Sequence, residues 1–363
     1  MTSLSDHAHG GEVYTTARRL HTTPDKLLDF SNNANIFAYQ LTKKLTDATP
    51  YPFLHYPDSA AEELAGVIAA HEHVAPDRIL PGNGGTELIW LTLRALEPRK
   101  VLFIGPIFSE YVRVCLAFSI PFDILTLASE NEFNYSADDL SAIWESDADL
   151  IVLCTPNNPA GAIYDMARLL HMLRAPRVLI DCSYREFLYG MDDYDHNSLN
   201  SYCASARPGV SIFTLHSFTK FFCCPGIRLG YLMGDRNHLA RIAALRPAWS
   251  VSPFAQVMGK RFLDSVEAYR ESLTPLRQAV AHMGRELRRL ACVNPEKVLE
   301  GPAFLCCGLR PRFNTKTVCK TLLNRRILVR DCDSIPGMPE GFIRMQARPE
   351  SDAARLLSIL DAL

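Results

Sequence analysis

The chain carries HSFTK at residues 216–220, followed closely by PGIRLG at residues 225–230. The first of these stretches follows an apolar, β-branched run, so we expect its lysine at the end of a buried strand. Burying an ammonium group is costly, and a lysine in such a place can lose its proton and form an imine. Ser217, Thr219 and Arg228 would surround a phosphate with hydroxyl groups and a guanidinium. Taken alone, an exposed lysine at a strand end would explain the stretch equally well.

Three further stretches place glycines, an amide and a carboxylate near strand ends. PGNGGTE at residues 81–87 opens a helix with glycines and a hydroxyl, and the free N–H groups of a helix start bind anions. TPNNPAG at residues 155–161 puts an amide at the carboxyl end of a strand, where the sites of α/β proteins lie. Asp181 ends the next strand and could pair with a cationic ring nitrogen. An ordinary turn or cap is the alternative for each stretch by itself.

Apolar runs alternate with helical stretches along the first two thirds of the chain. The runs are Val101–Gly105, Ile124–Leu127, Leu150–Thr155, Val178–Cys182, Ile212–Ser217 and Leu229–Met233. This alternation predicts an α/β fold with a mostly parallel sheet and crossover helices. Beyond Trp249, long helical stretches at Gln256–Phe262 and Glu267–Leu290 precede shorter strands and a closing helix at Ser351–Leu363.

This change in the pattern of strands and helices beyond Trp249 predicts the domain organisation. We expect an N-terminal arm and small-domain segment over residues 1–35 and a large α/β domain over residues 36–265. A connecting helix and a smaller α+β domain are expected over residues 266–363.

Composition and charge exclude several classes of function. The 363 residues carry a formal net charge of −2 and show no basic patch, so we expect no nucleic-acid partner. No stretch approaches roughly 18 apolar residues, and residues 1–11 lack the pattern of a secretory signal. We therefore expect no membrane partner and a cytoplasmic location.

The eleven cysteines are scattered without a CxxC pair, which indicates reduced thiols. The pairs His7/His9 and His71/His73 lack a third ligand nearby in sequence, so no metal site is expected.

Taken together and in this order, the stretches resemble the class I/II aminotransferase superfamily of pyridoxal-phosphate (PLP) enzymes. The resemblance spans nearly the whole chain and implies the PLP-dependent transferase fold, which is aspartate aminotransferase-like and of fold type I. It implies that the catalytic residues are Lys220, which links covalently to PLP, Asp181, which keeps the ring nitrogen protonated, and Tyr184. Asn158 with Tyr184 would contact the phenolic oxygen of the cofactor, Phe108 would stack on its ring, and Tyr56 would contact the cofactor phosphate of the neighbouring subunit. The residues implied at the cofactor phosphate in the same subunit are Gly84, Gly85, Thr86, Ser217, Thr219 and Arg228. The last contact implies a homodimer.

Four further stretches indicate which group of enzymes within this superfamily the chain resembles most. HGG at 9–11, LDFSNNAN at 28–35, WSV at 249–251 and ILVRDC at 327–332 are similar to the L-threonine-O-3-phosphate decarboxylases of cobalamin biosynthesis. This resemblance implies a small phosphorylated amino acid as substrate and its PLP-dependent decarboxylation, which yields (R)-1-aminopropan-2-yl phosphate from L-threonine O-3-phosphate. The substrate-binding residues that it implies are His9, Asn33, Asn158, Arg330 and Arg344.

Departures from the family pattern leave alternatives open. Ile36-Phe37-Ala38 replaces a Pro-Leu-Gly near the substrate entrance, so O-phosphoserine is an open alternative substrate. An aminotransferase acting on histidinol phosphate or an aromatic amino acid is the alternative from another reaction class. A non-catalytic binding protein with the same fold is a third hypothesis, which the presence of Lys220 and its supporting residues disfavours.

Overall fold

Helices and strands alternate along the computed structural model, which describes residues 10–52 and 54–363. The strands are β1 (Leu28–Asp29), β2 (Ile79–Gly82), β3 (Val101–Gly105), β4 (Phe122–Thr126), β5 (Leu150–Cys154), β6 (Arg177–Asp181), β7 (Ser211–Ser217), β8 (Gly230–Met233), β9 (Val293–Glu300), β10 (Phe304–Leu309), β11 (Ile327–Leu328), β12 (Arg330–Asp331) and β13 (Phe342–Gln346). The helices are α1 (Val13–Arg19), α2 (Tyr39–Asp47), α3 (Glu62–Glu72), α4 (Gly84–Leu96), α5 (Ser109–Phe118), α6 (Ala137–Glu145), α7 (Met166–Met172), α8 (Asp193–His196), α9 (Leu199–Ser205), α10 (Phe218–Phe221), α11 (Arg236–Ala244), α12 (Pro253–Asp264), α13 (Val266–Glu271), α14 (Leu273–Arg289), α15 (Thr315–Asn324) and α16 (Glu350–Asp361). Each apolar run predicted as a strand is one, with ends that differ by at most two residues.

The central sheet has seven strands in the order β2-β8-β7-β6-β5-β3-β4. Only β8 among them is reversed, since it pairs antiparallel with both β2 and β7. The other pairs are parallel, as predicted for an α/β fold. The carboxyl ends of β5, β6 and β7 therefore meet at one edge of the sheet. Cys154, Asp181 and Ser217 end these three strands.

Helices cover both faces of the central sheet. On one face, Phe103 and Leu179 pack with apolar residues of α4 and α5. On the other face, Leu102 and Ile180 belong to a larger core with residues of α3 and α12. Because both faces are buried, these strands read as unbroken apolar runs rather than as alternating patterns. Within the described part of the chain, no helix combines the length and apolar character that crossing a membrane requires.

A second sheet, of four antiparallel strands, lies in the C-terminal part of the chain in the order β12-β13-β10-β9. Helix α14 packs on β9 and β10, and α16 packs on α14 and α15. Strand β1 pairs in parallel with β11, with Leu28 opposite Ile327, so the N-terminal segment joins this C-terminal unit. The predicted smaller α+β domain is thus confirmed, whereas the exact domain limits stay a prediction.

The helix predicted over Glu267–Leu290 is divided into α13 and α14 at Ser272. Pro275 lies in the first turn of α14 and has no N–H group, so it cannot continue the hydrogen-bond ladder of α13. The Ser272 hydroxyl donates to the Tyr269 carbonyl and accepts a bond from Asn35 Nδ2 at 2.7 Å. This break therefore ties the helix pair to the N-terminal segment.

Candidate active site

A cavity of about 490 Å³ lies at the carboxyl ends of β5, β6 and β7, between the two sheets. Its lining includes twelve of the predicted site residues: Gly85, Thr86, Phe108, Asn158, Asp181, Tyr184, Ser217, Thr219, Lys220, Arg228, Arg330 and Arg344. Gly84 and Asn33 contact members of this set. Tyr56 is not part of the lining, and His9 lies outside the described residues. The structure thus brings together groups that are far apart in sequence.

Lys220 lies in the short helix α10, directly after β7. Its carbonyl accepts the Asn35 N–H at 2.7 Å, which connects this turn to the N-terminal segment. Burial lowers the pKa of Lys220 to about 8, and the charges of Arg344 and Arg228 act in the same direction. Within residues 10–52 and 54–363, the Nζ atom makes no hydrogen bond or ion pair. An amine in this state can act as a nucleophile near neutral pH.

Asp181 is a buried carboxylate at the end of β6 that faces the same cavity. Its two oxygens accept bonds from the Ser183 N–H at 3.0 Å and from the Tyr111 hydroxyl at 3.2 Å. Burial raises the pKa of Asp181, whereas the bonds from Ser183 and Tyr111 lower it. The group is held rigidly where it can pair with a cationic ring nitrogen. The sequence argument missed Tyr111, although it lies one helical turn after Phe108.

The start of α4 and Arg228 form a cradle for an anion. Gly84 adopts a φ of 76°, and a Cβ there would lie 2.4 Å from Nη2 of Arg228. The Arg228 guanidinium donates to the Pro225 carbonyl at 3.3 Å and has no carboxylate partner within the described chain. Thr219 and Ser217 line the same corner of the cavity. Free helix N–H groups, hydroxyls and an unpaired guanidinium suit a phosphate.

Two buried arginines face the cavity from the small sheet. Arg330 and Arg344 lie opposite each other on β12 and β13. Arg344 donates to Asn158 Oδ1 and to the Ser31 carbonyl, and Arg330 donates to the Ser334 hydroxyl at 2.9 Å. Among the residues that the structure describes, neither forms an ion pair with a carboxylate, and Nε of Arg344 has no hydrogen-bond partner. Burial and the charge of Arg344 lower the pKa of Arg330. Two desolvated cations in contact with one cavity indicate a binding site for anionic groups.

The N-terminal segment completes the wall beside these arginines. Asn33 Nδ2 donates to the Tyr184 hydroxyl at 3.1 Å, and the buried Asn33 Oδ1 has no hydrogen-bond partner in the described part of the chain. Burial raises the pKa of Tyr184, so this hydroxyl keeps its proton and can donate. Gly10 lies so close that a Cβ would be 2.3 Å from the Ser31 carbonyl oxygen. Only a glycine fits at this approach to the cavity.

Other lining residues were not predicted from the sequence. They are Gly10, Ser31, Asn32, Ile89, Ser109, Glu110, Arg113, Cys154, Ser183, Leu215 and Ile335. Glu110 accepts the Trp90 indole N–H at 3.0 Å and the Arg113 guanidinium at 3.1 Å, which ties α4 to α5. The stretch that contains Phe108 also contains Ser109 and Glu110, but nothing in their spacing distinguishes them from ordinary helix residues.

Tyr56 lies away from the cavity and projects from the surface of the chain. Its side chain is 79% exposed and stacks on Trp249, with ring centroids 4.6 Å apart. This position is compatible with the predicted contact to a neighbouring subunit. That contact stays a prediction.

The similarity to known proteins covers almost the whole chain. Residues 25–363 match the family described as aminotransferase class I and II. The chain belongs to this family. It is 29% identical to a threonine-phosphate decarboxylase of Salmonella typhimurium, over 99% of this chain and 97% of the relative. It is 27% identical to a histidinol-phosphate aminotransferase of Desulfitobacterium hafniense, over 85% of this chain and 83% of the relative.

Solved structures of similar proteins agree with the fold. A decarboxylase from Sulfurospirillum multivorans aligns with a TM-score of 0.79 at 23% identity, covering 96% of this chain and 99% of that chain. Enzymes of the class I and II family depend on PLP, so the predictions of an enzyme, of PLP and of fold type I are confirmed. The resemblance to threonine-phosphate decarboxylases is confirmed as well.

The cavity fits PLP on several counts. The amine of Lys220 has a lowered pKa, and the start of α4 with Arg228 offers an anion cradle. Asp181 is a buried acid that forms no ion pair with any described residue. When bound, PLP supplies an electron sink for the bond that breaks at Cα of an amino acid.

Proposed function

We propose that this protein decarboxylates L-threonine O-3-phosphate to (R)-1-aminopropan-2-yl phosphate, with PLP as cofactor, as a cytoplasmic homodimer. The observation that carries the proposal is the pair Arg330 and Arg344, two buried guanidiniums that line the cavity with Lys220 and have no carboxylate partner among residues 10–52 and 54–363. A substrate with both a carboxylate and a phosphate would supply both missing anions. The similarity to threonine-phosphate decarboxylases over nearly the full chain supports the same substrate.

The proposed cofactor contacts follow from the geometry of the cavity. Lys220 would hold PLP covalently, Asp181 would keep the ring nitrogen protonated, and Phe108 would stack on the ring. Asn158 and Tyr184 would contact the phenolic oxygen. The phosphate would lie against Gly84, Gly85, Thr86, Ser217, Thr219 and Arg228, with Tyr56 contributed by the neighbouring subunit.

The proposed substrate contacts determine which bond breaks. Bound PLP would accept the electrons of the bond that breaks at Cα, and the chain would select that bond by orienting the substrate. Arg330 and Arg344 would fix the two anionic ends of the substrate and so orient its carboxylate. Asn33 lies beside Tyr184 and would donate to the bound substrate. His9 would be a further phosphate contact, proposed from the resemblance alone.

The second candidate function is transamination of histidinol phosphate. It is favoured by the relatives with that name, which match over most of this chain. A substrate without a carboxylate would leave one of the two arginines unpaired, so the geometry supports this candidate less well.

Product analysis distinguishes the proposed decarboxylation from the transamination. Purified protein with PLP is incubated with O-phosphothreonine, with O-phosphoserine, and with histidinol phosphate plus 2-oxoglutarate. We expect carbon dioxide and aminopropanol phosphate from the first substrate and little glutamate from the third. Rapid glutamate formation without carbon dioxide release would instead establish the aminotransferase.

Variants of the small sheet test the substrate contacts. Arg330→Gln should raise KM about tenfold or more, since a hydrogen bond to a charged group is worth roughly 1.5–3 kcal/mol. The affinity for PLP should be unchanged, because the proposed partner of Arg330 is the substrate. Arg310→Gln, at an exposed end of the same sheet, is the matched control and should leave KM unchanged. Equal KM values for the two variants would contradict the assignment.

A further inference from the structure

An apolar side chain accompanies the two arginines in the wall of the cavity. Strands β12 and β13 and the segment between them contribute Arg330, Ile335 and Arg344 to the lining. Arg330 and Arg344 are charged, whereas Ile335 is aliphatic and 8% exposed. The proposed function uses both arginines and gives Ile335 no role.

The segment that carries Ile335 is fixed to the small sheet on one side. Arg330 Nη2 donates to the hydroxyl of Ser334, the residue directly before Ile335, at 2.9 Å. The Ile335 N–H donates to the Cys332 carbonyl at 2.9 Å. Ile335 precedes Pro336, which restricts its backbone to extended conformations, and its branched Cβ restricts χ1. Ile335 is therefore a stiff group, one residue away from the contact with Arg330.

The same segment is fixed to the large domain on its other side. The carbonyl of Pro336, directly after Ile335, accepts the Ile107 N–H at 3.0 Å. The next residue after Ile107 is Phe108, which lines the cavity. Ile335 thus lies between the contact with Arg330 and the contact beside Phe108. It spans the gap between a residue proposed to bind a substrate anion and the residue proposed to stack on the cofactor ring.

A close approach of two backbones supports this placement. A Cβ on Gly105, at the end of β3, would lie 3.2 Å from Cα of Gly337. Gly337 itself has a φ of 78°, a conformation that glycine adopts readily. The segment that carries Ile335 is therefore packed directly on the carboxyl end of β3.

The other aliphatic residues of the lining lie on the cofactor side of the cavity. Ile89 is on α4, about one helical turn after Gly85. Leu215 is the register partner of Asp181, and its side chain is the nearest described group to a Cβ built on Gly85, at 3.6 Å. Both residues thus belong to the side where the phosphate and ring of the cofactor are proposed. Among the lining residues, this leaves Ile335 as the aliphatic group on the substrate side.

We propose that Ile335 selects between the two phosphorylated amino acids by packing on the methyl group of L-threonine O-3-phosphate. This inference rests on the proposed function and names the residue that recognises its substrate. O-phosphoserine has the same amine, carboxylate and phosphate and lacks only that methyl group, so the charged groups of the cavity do not separate the two. The methyl group is on the carbon that bears the phosphate ester, between the anionic ends that Arg330 and Arg344 would hold. An aliphatic side chain at this place removes the methyl group from water.

The test compares O-phosphothreonine with O-phosphoserine as substrates of the holoprotein. In the unchanged protein, kcat/KM for decarboxylation should be at least about tenfold higher with O-phosphothreonine, which is the effect of one methyl group in an apolar pocket. Ile335→Ala should bring this ratio close to one, because it lowers the value for O-phosphothreonine and leaves that for O-phosphoserine nearly unchanged. Ile335→Val removes a single methylene and should lower the ratio by a smaller factor. It carries the test if Ile335→Ala does not fold.

Ile89→Ala and Ile89→Val are the matched controls, since they make the same changes on the cofactor side of the same cavity. They should leave the ratio of the two kcat/KM values unchanged. A purely structural effect would lower both values together. An unchanged ratio in the Ile335 variants, or an equal drop in the Ile89 variants, would overturn the inference.

A binding measurement adds a readout that does not depend on turnover. Aminopropanol phosphate and ethanolamine phosphate, the products expected from the two substrates, differ by the same methyl group. By calorimetry, the unchanged holoprotein should bind the first about tenfold more tightly, and Ile335→Ala should bind both alike. Equal affinities in the unchanged protein would contradict the contact with the methyl group. If neither phosphorylated amino acid releases carbon dioxide, the proposed function itself is wrong and the inference falls with it.

Discussion

At the scale of the single residue, the lowered pKa of Lys220 has a measurable consequence. Covalent attachment of PLP needs the free amine, and its fraction rises through a pKa of about 8 rather than through the usual value above 10. We therefore predict that the rate of PLP attachment to the apoprotein increases with pH and is half-maximal near pH 8. Stopped-flow absorbance measures this rate, and Lys220→Arg should abolish the signal. A midpoint above about pH 10 would show that the burial of this amine has no effect on its reactivity.

The carboxylate of Asp181 gives a second prediction at this scale. Asp181→Asn keeps the shape of the side chain but removes the charge that would hold the ring nitrogen protonated. We expect PLP to bind while turnover falls by at least about 10²-fold, in the range of acid–base contributions. Asp165→Asn is the matched control, because Asp165 caps α7 away from the cavity and asparagine also caps helices. Near-normal turnover of Asp181→Asn in steady-state assays would refute the role.

At the scale of the element, the two adjacent glycines at the start of α4 differ in how much space a side chain would have. Gly84 has a φ of 76°, and a Cβ there would meet the Arg228 guanidinium at 2.4 Å. At Gly85 the nearest described atom to a Cβ would belong to the Leu215 side chain, at 3.6 Å, which is an ordinary contact. Gly84→Ala should therefore weaken PLP binding about tenfold or more, because it adds backbone strain of about 1 kcal/mol and displaces Arg228.

Gly85→Ala is the control for this comparison, since it adds the same methyl group one residue later. We expect it to change the PLP dissociation constant by less than about threefold, which corresponds to under 1 kcal/mol. The constants are measured by titrating apoprotein with PLP. If both variants bind PLP equally well, the helix start does not form the phosphate site.

At the scale of the whole molecule, Tyr56 predicts an assembly. It is 79% exposed and stacks on Trp249, which is itself 49% exposed, so two large aromatic side chains project together from the surface. We predict a two-fold dimer in which Tyr56→Ala lowers PLP affinity without unfolding the chain. Tyr14→Ala is the control, since Tyr14 is comparably exposed at 73%. Light scattering gives the mass, and a fully active monomer would contradict the prediction.

The central sheet and much of the lining of the cavity could be predicted from the sequence alone. Its strands are buried on both faces and therefore read as apolar runs, and parallel strands bring their carboxyl ends to one edge. Asp181 and Lys220 could be expected near each other for that reason alone. The glycines at 84 and 85 could be placed at the start of a helix, because a glycine-rich helix start has a local pattern.

Contacts between segments that no local pattern connects became visible in the three-dimensional structure. Arg344 bonds to Asn158 across 186 residues and to Ser31 across 313 residues, and no periodicity or spacing relates these positions. The division of the predicted long helix at Ser272 and the bond from Tyr111 to Asp181 depend on packing in the same way. The buried bond from Arg185 to Glu72 is the clearest case, since it joins two charged side chains across 113 residues. The energy of such a group depends on burial and on distances in space, which sequence order does not encode.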